Sequence, residues 1–433
     1  MKETGKAQLK WYQGLDRYCW IVLTIAALGW LFDTMDQNLF NLVRKQSVED
    51  LLRSQYADPE ELKAAASAIG GYITAIFLVG WSVGGFFFGV LGDKIGRTRT
   101  MILTILTYSL FTGLSGLAQT WPQYAVCRFL TALGVGGEWA AGAAIVAEVF
   151  PERSRPMALG LLQALSAVGN MMAAAITYVL AFIPETSWRT AFFVGAAPAL
   201  LVLWIRRSIR EPERWQHAKA EASLGKELGA MQELFINPVY RRNTLAGLLL
   251  GIAGVGALWG VGFFGTDLLI GTLQGKPEDE VNKLKSIEFF IRQVGAMLGI
   301  YSFAAFSERT NRKTPFYLWF ALAWISILAY FWGVSAFTGD TAFYVAAVLG
   351  FIMGFCTLGP FSGYTVYFPE LFPTRLRATG CGICYNAGRL IAAIAPFTLG
   401  ALSKEYGLPL AGTIVSSIYI LGFIGTAIGP ETK

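Results

Sequence analysis

The stretch CRFLTALGVGGEWAAGAAIVAEVFPERSR, from Cys127 to Arg155, opens on a run of small and apolar residues that carries Arg128 and Glu138. The run is long enough to cross a bilayer. On a lipid-facing helix those charges would be costly, so both must face protein or water, and charged residues inside a membrane are functional candidates by default. Ten residues separate the two, about 15 Å of helix, so each needs a partner on another helix. The run closes on Glu148-Val149-Phe150-Pro151-Glu152-Arg153-Ser154-Arg155. That turn returns as Glu370-Leu371-Phe372-Pro373 followed by Arg375 and Arg377, an offset of 222 residues.

A second turn repeats as well. Gly92-Asp93 with Arg97 corresponds to Ser307-Glu308 with Arg312, an offset of 215. Two echoes at nearly one offset imply a duplicated six-helix unit. The same orientation in both copies implies a pseudo-twofold axis along the membrane normal, with a site near the midplane between the halves.

Composition agrees. The 433 residues are 54% hydrophobic and 15% charged, with a mean hydropathy of +0.49, whereas soluble domains carry roughly 25% charged residues. Apolar segments of spanning length recur from end to end, and twelve are expected, so the fold class is an all-α integral membrane protein. The expected division is 1–207, a linker over 208–242 and 243–433. The first apolar run, from Tyr18 to Val43, is too long and too acidic for a cleaved signal peptide. Asp58-Pro59-Glu60-Glu61 reads as the start of a short surface helix before helix two.

The formal charge of +6 reports topology rather than an acidic partner. Of the Lys and Arg residues, 23 fall on the side of the termini, 9 on the other and three within spans. By the positive-inside rule both termini are then cytoplasmic. A nucleic-acid role has no support. The five cysteines lie in apolar segments, and Cys381-x-x-Cys384 has no His or second pair beside it, so neither a metal site nor a cofactor is expected.

Over essentially its whole length the chain resembles the major facilitator superfamily. The resemblance rests on GDKIGRTRT at 92–100 with its echo SERTNRKTP at 307–315, on Arg128…Gly134-x-Gly136 followed by Glu148…Pro151-Glu152-Arg153, on the 369–377 turn and on REPERW closing helix six. Gly136-Gly137-Glu138-Trp139, Gly160-Leu161-Leu162-Gln163 and Gly169-Asn170 look most like the sialate and lactate proton symporters. Helix one reads FDTMDQ where many such carriers have Asp-Gly-Phe-Asp, and helix seven lacks the paired glutamines of sugar porters. The resemblance implies secondary transport of a small organic acid by alternating access in a cell inner membrane, by a monomer, and not an enzyme. It further implies that Asp93, Arg97, Glu148 and Arg153, with Glu308, Arg312 and Glu370 in the second half, form charge networks that hold the cytoplasmic side shut. The alternatives are a facilitator or proton symporter of a sugar or other neutral solute, and a membrane sensor that binds solute without moving it.

Uphill transport needs a group whose charge changes during the cycle. The only histidine, His217, lies in the linker, which leaves carboxylates. Glu138 sits deep in helix four, where burial favours its neutral form. Asp33 and Asp36 are three apart and share one helix face, which disfavours joint ionisation. Each of these acids has the alternative of a fixed ion pair, Glu138 with Arg128 included. Arg389 lies near the centre of helix eleven, and its planar fork matches a carboxylate substrate. The alternative is a permanent pair with Glu138 or an aspartate. Gln163, Asn170, Asn386, Trp259, Phe263 and Tyr364 complete the expected substrate site. Arg128 is read as a gate or tether, with Asp36, Asp267 or Glu288 as partner.

Overall fold

The computed structural model describes residues 10–181, 188–222 and 227–433. The bundle consists of α1 (Arg17–Leu52), α2 (Pro59–Ile95), α3 (Arg97–Ser115), α4 (Trp121–Val149), α5 (Arg155–Ala181), α6 (Trp188–Gly195 continued by Leu201–Ser208), α7 (Pro238–Gly251 continued by Ala257–Thr272), α8 (Glu278–Arg309), α9 (Lys313–Ser335), α10 (Gly339–Leu371), α11 (Arg377–Tyr406) and α12 (Leu408–Ser416 continued by Tyr419–Ile428). Ten of the helices among the described residues are long and apolar enough to cross a membrane. Short helices Glu213–Ala222 and Glu233–Ile236 lie between α6 and α7.

Three details depart from the expected helices. First, α1 runs on to Leu52, and the helix begun at Asp58 is no separate surface helix. Asp58 caps its first turn by accepting from Glu60 N, and the helix continues unbroken as α2. Second, α6 is interrupted by a 3₁₀ turn over Ala197–Leu200 that contains Pro198, whose missing N–H and fixed φ break the α-helical ladder. Third, α7 contains a π-helical turn over Ile252–Gly256, a distortion common at functional sites.

The glycines of α2 serve two neighbours. A Cβ on Gly80 or Gly84 would collide with the backbone carbonyl of Phe129 or Leu133 on α4. One on Gly85 or Gly89 would strike Asn386 or the carbonyl of Ala378 on α11. Small residues thus let α2 lie against its own half on one side and against the opposite half on the other. The glycines of α7 also serve packing: a Cβ on Gly251 would meet Cys384 O, and one on Gly254 the hydroxyl of Tyr364.

The duplication extends beyond the two turns that revealed it. Glu211, just after α6, accepts from Thr98 N and Arg99 N at the start of α3. Glu431, just after α12, accepts from Arg312 N and Lys313 N at the start of α9. Each acid meets the positive end of a helix dipole. Both termini reach the same end of the bundle: Arg153 and Ser154 bind the carbonyls of Gln13 and Trp11, and Lys433 binds carbonyls at the end of α8.

Candidate functional site

The charges inside the bundle sort into two arrangements. Arg128 is saturated within the first half. Its Nη1 lies 3.4 Å from Asp36 Oδ2, and it donates to Ser115 Oγ at 3.0 Å and Thr131 Oγ1 at 3.0 Å. The Phe192 ring lies 4.6 Å from the guanidinium, and Asp36 also accepts from Thr112 at 2.6 Å. Asp36 is therefore turned away from Asp33, although both leave one helix face. Arg292 likewise pairs with Glu288, one turn away on α8.

Arg389 is arranged differently. It is buried, with its guanidinium 3.9 Å from the ring centroid of Trp81 and 4.5 Å from that of Tyr385. Such a cation–π contact in a desolvated site is worth about 2 kcal/mol. Nη1 donates to Asn386 Oδ1 at 2.8 Å, while Nε has no partner. Among the described residues no carboxylate reaches Arg389 at ion-pair distance. Asp33 lies within its electrostatic range, as do Glu138 and Asp36 around Asp33. Asp33 and Glu138 interact electrostatically with each other, and among the described residues no donor hydrogen-bonds either carboxyl group. Both are fully buried. Two bare carboxylates in one buried site repel each other.

Glycine makes this approach fit. A Cβ on Gly29, one turn before Asp33, would sit 2.2 Å from Glu138 Oε1, so α1 and the Glu138 side chain meet only because that position is bare.

Aromatic and amide groups frame the charges. Trp139 stacks on Tyr385 with centroids 3.7 Å apart and donates to Gln163 Oε1 at 3.1 Å. Trp259 meets Trp81 edge-on at 5.9 Å. Trp30 approaches Tyr385 at 6.4 Å, and the indole nitrogens of Trp30 and Trp81 are buried without acceptors. Asn170 accepts from Asn38 at 2.6 Å and donates to Gln293 across the halves at 3.2 Å. Tyr364 spends its hydroxyl on Leu250 O at 2.7 Å and stacks on Phe368, so it frames the site without offering a free polar group. The Phe263 side chain lies outside the described residues. Sequence reasoning missed Trp81 and Tyr385. Tyr385 stands four residues before Arg389, on the same helix face, a usable signal. Trp81 carried none in a chain that is 14% aromatic.

At the end of the bundle that carries the termini, Asp93, Arg97, Glu148 and Arg377 form one cluster. Arg97 bonds Asp93 at 2.8 Å and Glu148 at 2.9 Å, and Arg377 from the second half reaches Glu148 at 3.1 Å. Asp93 accepts from Ala378 N at 3.1 Å, Thr379 N at 2.8 Å and Thr379 Oγ1 at 2.6 Å, capping α11 across the halves. In the second half Arg312 forks onto Glu370. Two expected members stand apart. Arg153 is drawn to Gln13 O instead of the first cluster, and Glu308 forms no ion pair among the described residues.

Repeated helices, ten of the described ones apolar and long enough to cross a membrane, with buried charge that has no ion-pair partner among the described residues, define a membrane carrier with a central site. The chain belongs to the Major Facilitator Superfamily, whose model matches residues 26–396. It is 32% identical to the probable 4-methylmuconolactone transporter of Cupriavidus pinatubonensis, over 94% of this chain and 89% of that protein. It is 28% identical to the sialic acid transporter NanX of Escherichia coli, over 94% and 93%. Among solved structures, the proton:xylose symporter XylE superposes with a TM-score of 0.74 at 18% identity, covering 96% of this chain and 97% of that one. The protein is therefore a multi-pass membrane transporter and not an enzyme.

Proposed function

We propose that this protein imports a small organic acid anion, a monocarboxylate such as lactate, sialate or an aromatic acid, together with a proton. The halves 1–207 and 243–433 rock about the central site, joined by 208–242. The observation that carries the reading is Arg389: a buried cation whose Nε has no acceptor and which no carboxylate contacts among the described residues, within electrostatic range of the buried Asp33. The names of the relatives, a methylmuconolactone transporter and a sialic acid transporter, support an organic acid as cargo.

The residues act in a balanced sequence. With one proton between them, Asp33 and Glu138 carry a single negative charge that offsets Arg389. A substrate carboxylate takes the open edge of the guanidinium, whose planar fork favours it over a point-charge partner. Arg389 then no longer stabilises the negative charge of the acid pair, and the pair takes up a second proton. The loaded site is neutral, and a neutral site moves through the low-dielectric midplane at least cost. Arg128 with Asp36 ties the first half together. Asp93, Arg97, Glu148 and Arg377 hold one side shut and part when it opens. The distribution of Lys and Arg supports that side being the cytoplasm, in a bacterial inner membrane with the chain working as a monomer.

The test is uptake into proteoliposomes with an alkaline interior, using labelled lactate, pyruvate, sialate, benzoate and glucose. One acid is expected to accumulate. Glu138→Gln combined with Asp33→Asn keeps exchange and loses accumulation, and Arg389→Ala loses substrate binding. Movement of glucose alone, independent of the gradient and of all three residues, would refute the proposal.

A further inference from the structure

The duplication pairs the four residues of the clamp between the halves with four counterparts: Asp93 with Glu308, Arg97 with Arg312, Glu148 with Glu370, and Arg377 with Arg155. The first set is complete. In the second, Arg312 and Thr432 occupy Glu370, and Glu308 does not cap α5 as Asp93 caps α11. Arg155, at the start of α5, is left with Nε and Nη2 unpartnered although only 9% of the residue is exposed.

Where the missing contacts would lie, there is a cavity of about 1380 Å³ between the halves. Arg155 lines it together with Lys10, Arg214, Arg309, Arg377 and Lys433. In all, eight lysines and arginines face three glutamates. Arg214 and Arg377 lie within electrostatic range of Arg155, as do Glu370 and Glu152, and none of these acids hydrogen-bonds its Nε or Nη2.

We infer that this cavity is a binding site for a multiply charged phosphate-bearing anion, which supplies between α5 and α8 the negative charge that Asp93 and Glu148 supply between α2 and α11. With Arg377 paired to Glu148, the remaining excess of four cations exceeds what a monocarboxylate neutralises. Guanidinium forks from both halves suit phosphate oxygens, and the first turn of α5 adds the positive end of a helix dipole. An anion seated there bridges the halves and holds this side closed. The site is separate from the central one and does not depend on the identity of the cargo.

The experiment is calorimetric titration of the full chain in phosphatidylcholine nanodiscs with pyrophosphate. Saturable binding at one site per chain is expected. Arg155→Gln weakens it about tenfold, the scale of one charged hydrogen-bond partner, and Arg155→Lys weakens it less. Should Arg155→Gln fail to fold, Arg309→Gln at an exposed lining position lowers affinity about threefold. Nanodiscs containing phosphatidic acid, whose phosphomonoester can carry about two charges, separate the two sources of the ligand. Competition by that lipid identifies a headgroup as the occupant, and unchanged affinity identifies the soluble anion; either outcome supports the site. Absence of saturable heat, equal affinity in the wild type and both glutamine variants, or equally tight binding of acetate overturns it.

Discussion

Two arginines buried in the same bundle have opposite surroundings, and the difference separates a tether from a site. Arg128 spends its donors on Asp36, Ser115, Thr112 and Thr131. Arg389 spends Nη1 on Asn386 and keeps Nε open between two aromatic faces. Breaking a buried pair from one side strands a charge, at a cost of about 3–5 kcal/mol. Arg128→Ala is accordingly expected to destabilise the protein by about that amount, read as a fall in thermal midpoint in detergent, and Asp36→Asn added to it restores most of the loss. Arg389→Ala strands no ion-paired carboxylate, so its cost should be about 2 kcal/mol, that of the lost cation–π contact, below that of Arg128→Ala, while binding is abolished. A large stability loss in Arg389→Ala with full recovery of binding on adding Asp33→Asn would make Arg389 a structural charge.

At the scale of elements, the helix ends carry the switch. Asp93 leaves α2 and caps α11 of the other half, so the end of one helix is bonded to the start of another that must move away from it. Asp93→Asn removes the charge that meets both the α11 dipole and Arg97. Spin-label distances between the ends of α2 and α11 are expected to shift toward the longer population in that variant, and an unchanged distribution would remove Asp93 from the closure. The echoing turns at 92–97 and 307–312 made Arg97 and Arg312 legible before any fold was known, and those at 148–155 and 370–377 did the same for Glu148 and Glu370, because charge at a helix end repeats only where geometry repeats. Arg153 was misplaced because its neighbour in space is a main-chain carbonyl of the N-terminal segment, which no side-chain pattern announces. The length of α1 was also hidden. Val43 to Leu52 is polar on average, and its helix is held by packing of Val48, Leu51 and Leu52 against the core. Tertiary contact of that kind leaves a weak periodic signal.

For the whole molecule, charge balance across the midplane is the constraint that joins the parts. In the proposed cycle the empty site holds one guanidinium against one shared negative charge. The loaded site holds the guanidinium, a monoanion and two acids with a proton each. Both are neutral, so neither conformational change carries net charge across the bilayer, provided one proton accompanies one monoanion. The membrane potential acts on each moved charge by about 2.3 kcal/mol per 100 mV. A neutral cycle therefore feels the pH gradient and ignores the potential. In proteoliposomes, an inside-alkaline gradient is expected to drive accumulation, while a potassium diffusion potential of about 100 mV of either sign leaves the plateau unchanged. With Glu138→Gln and Asp33→Asn together, no acid of the pair remains to take up a proton, so the loaded site stays neutral while the empty site keeps the charge of Arg389. Accumulation is then lost and anion exchange across the membrane persists. Uptake that rose with an inside-negative potential in the wild type would show that more than one proton moves with each anion, and a titrating group beyond Asp33 and Glu138 would have to supply it. Uptake that rose with an inside-positive potential would show that the anion enters without its proton.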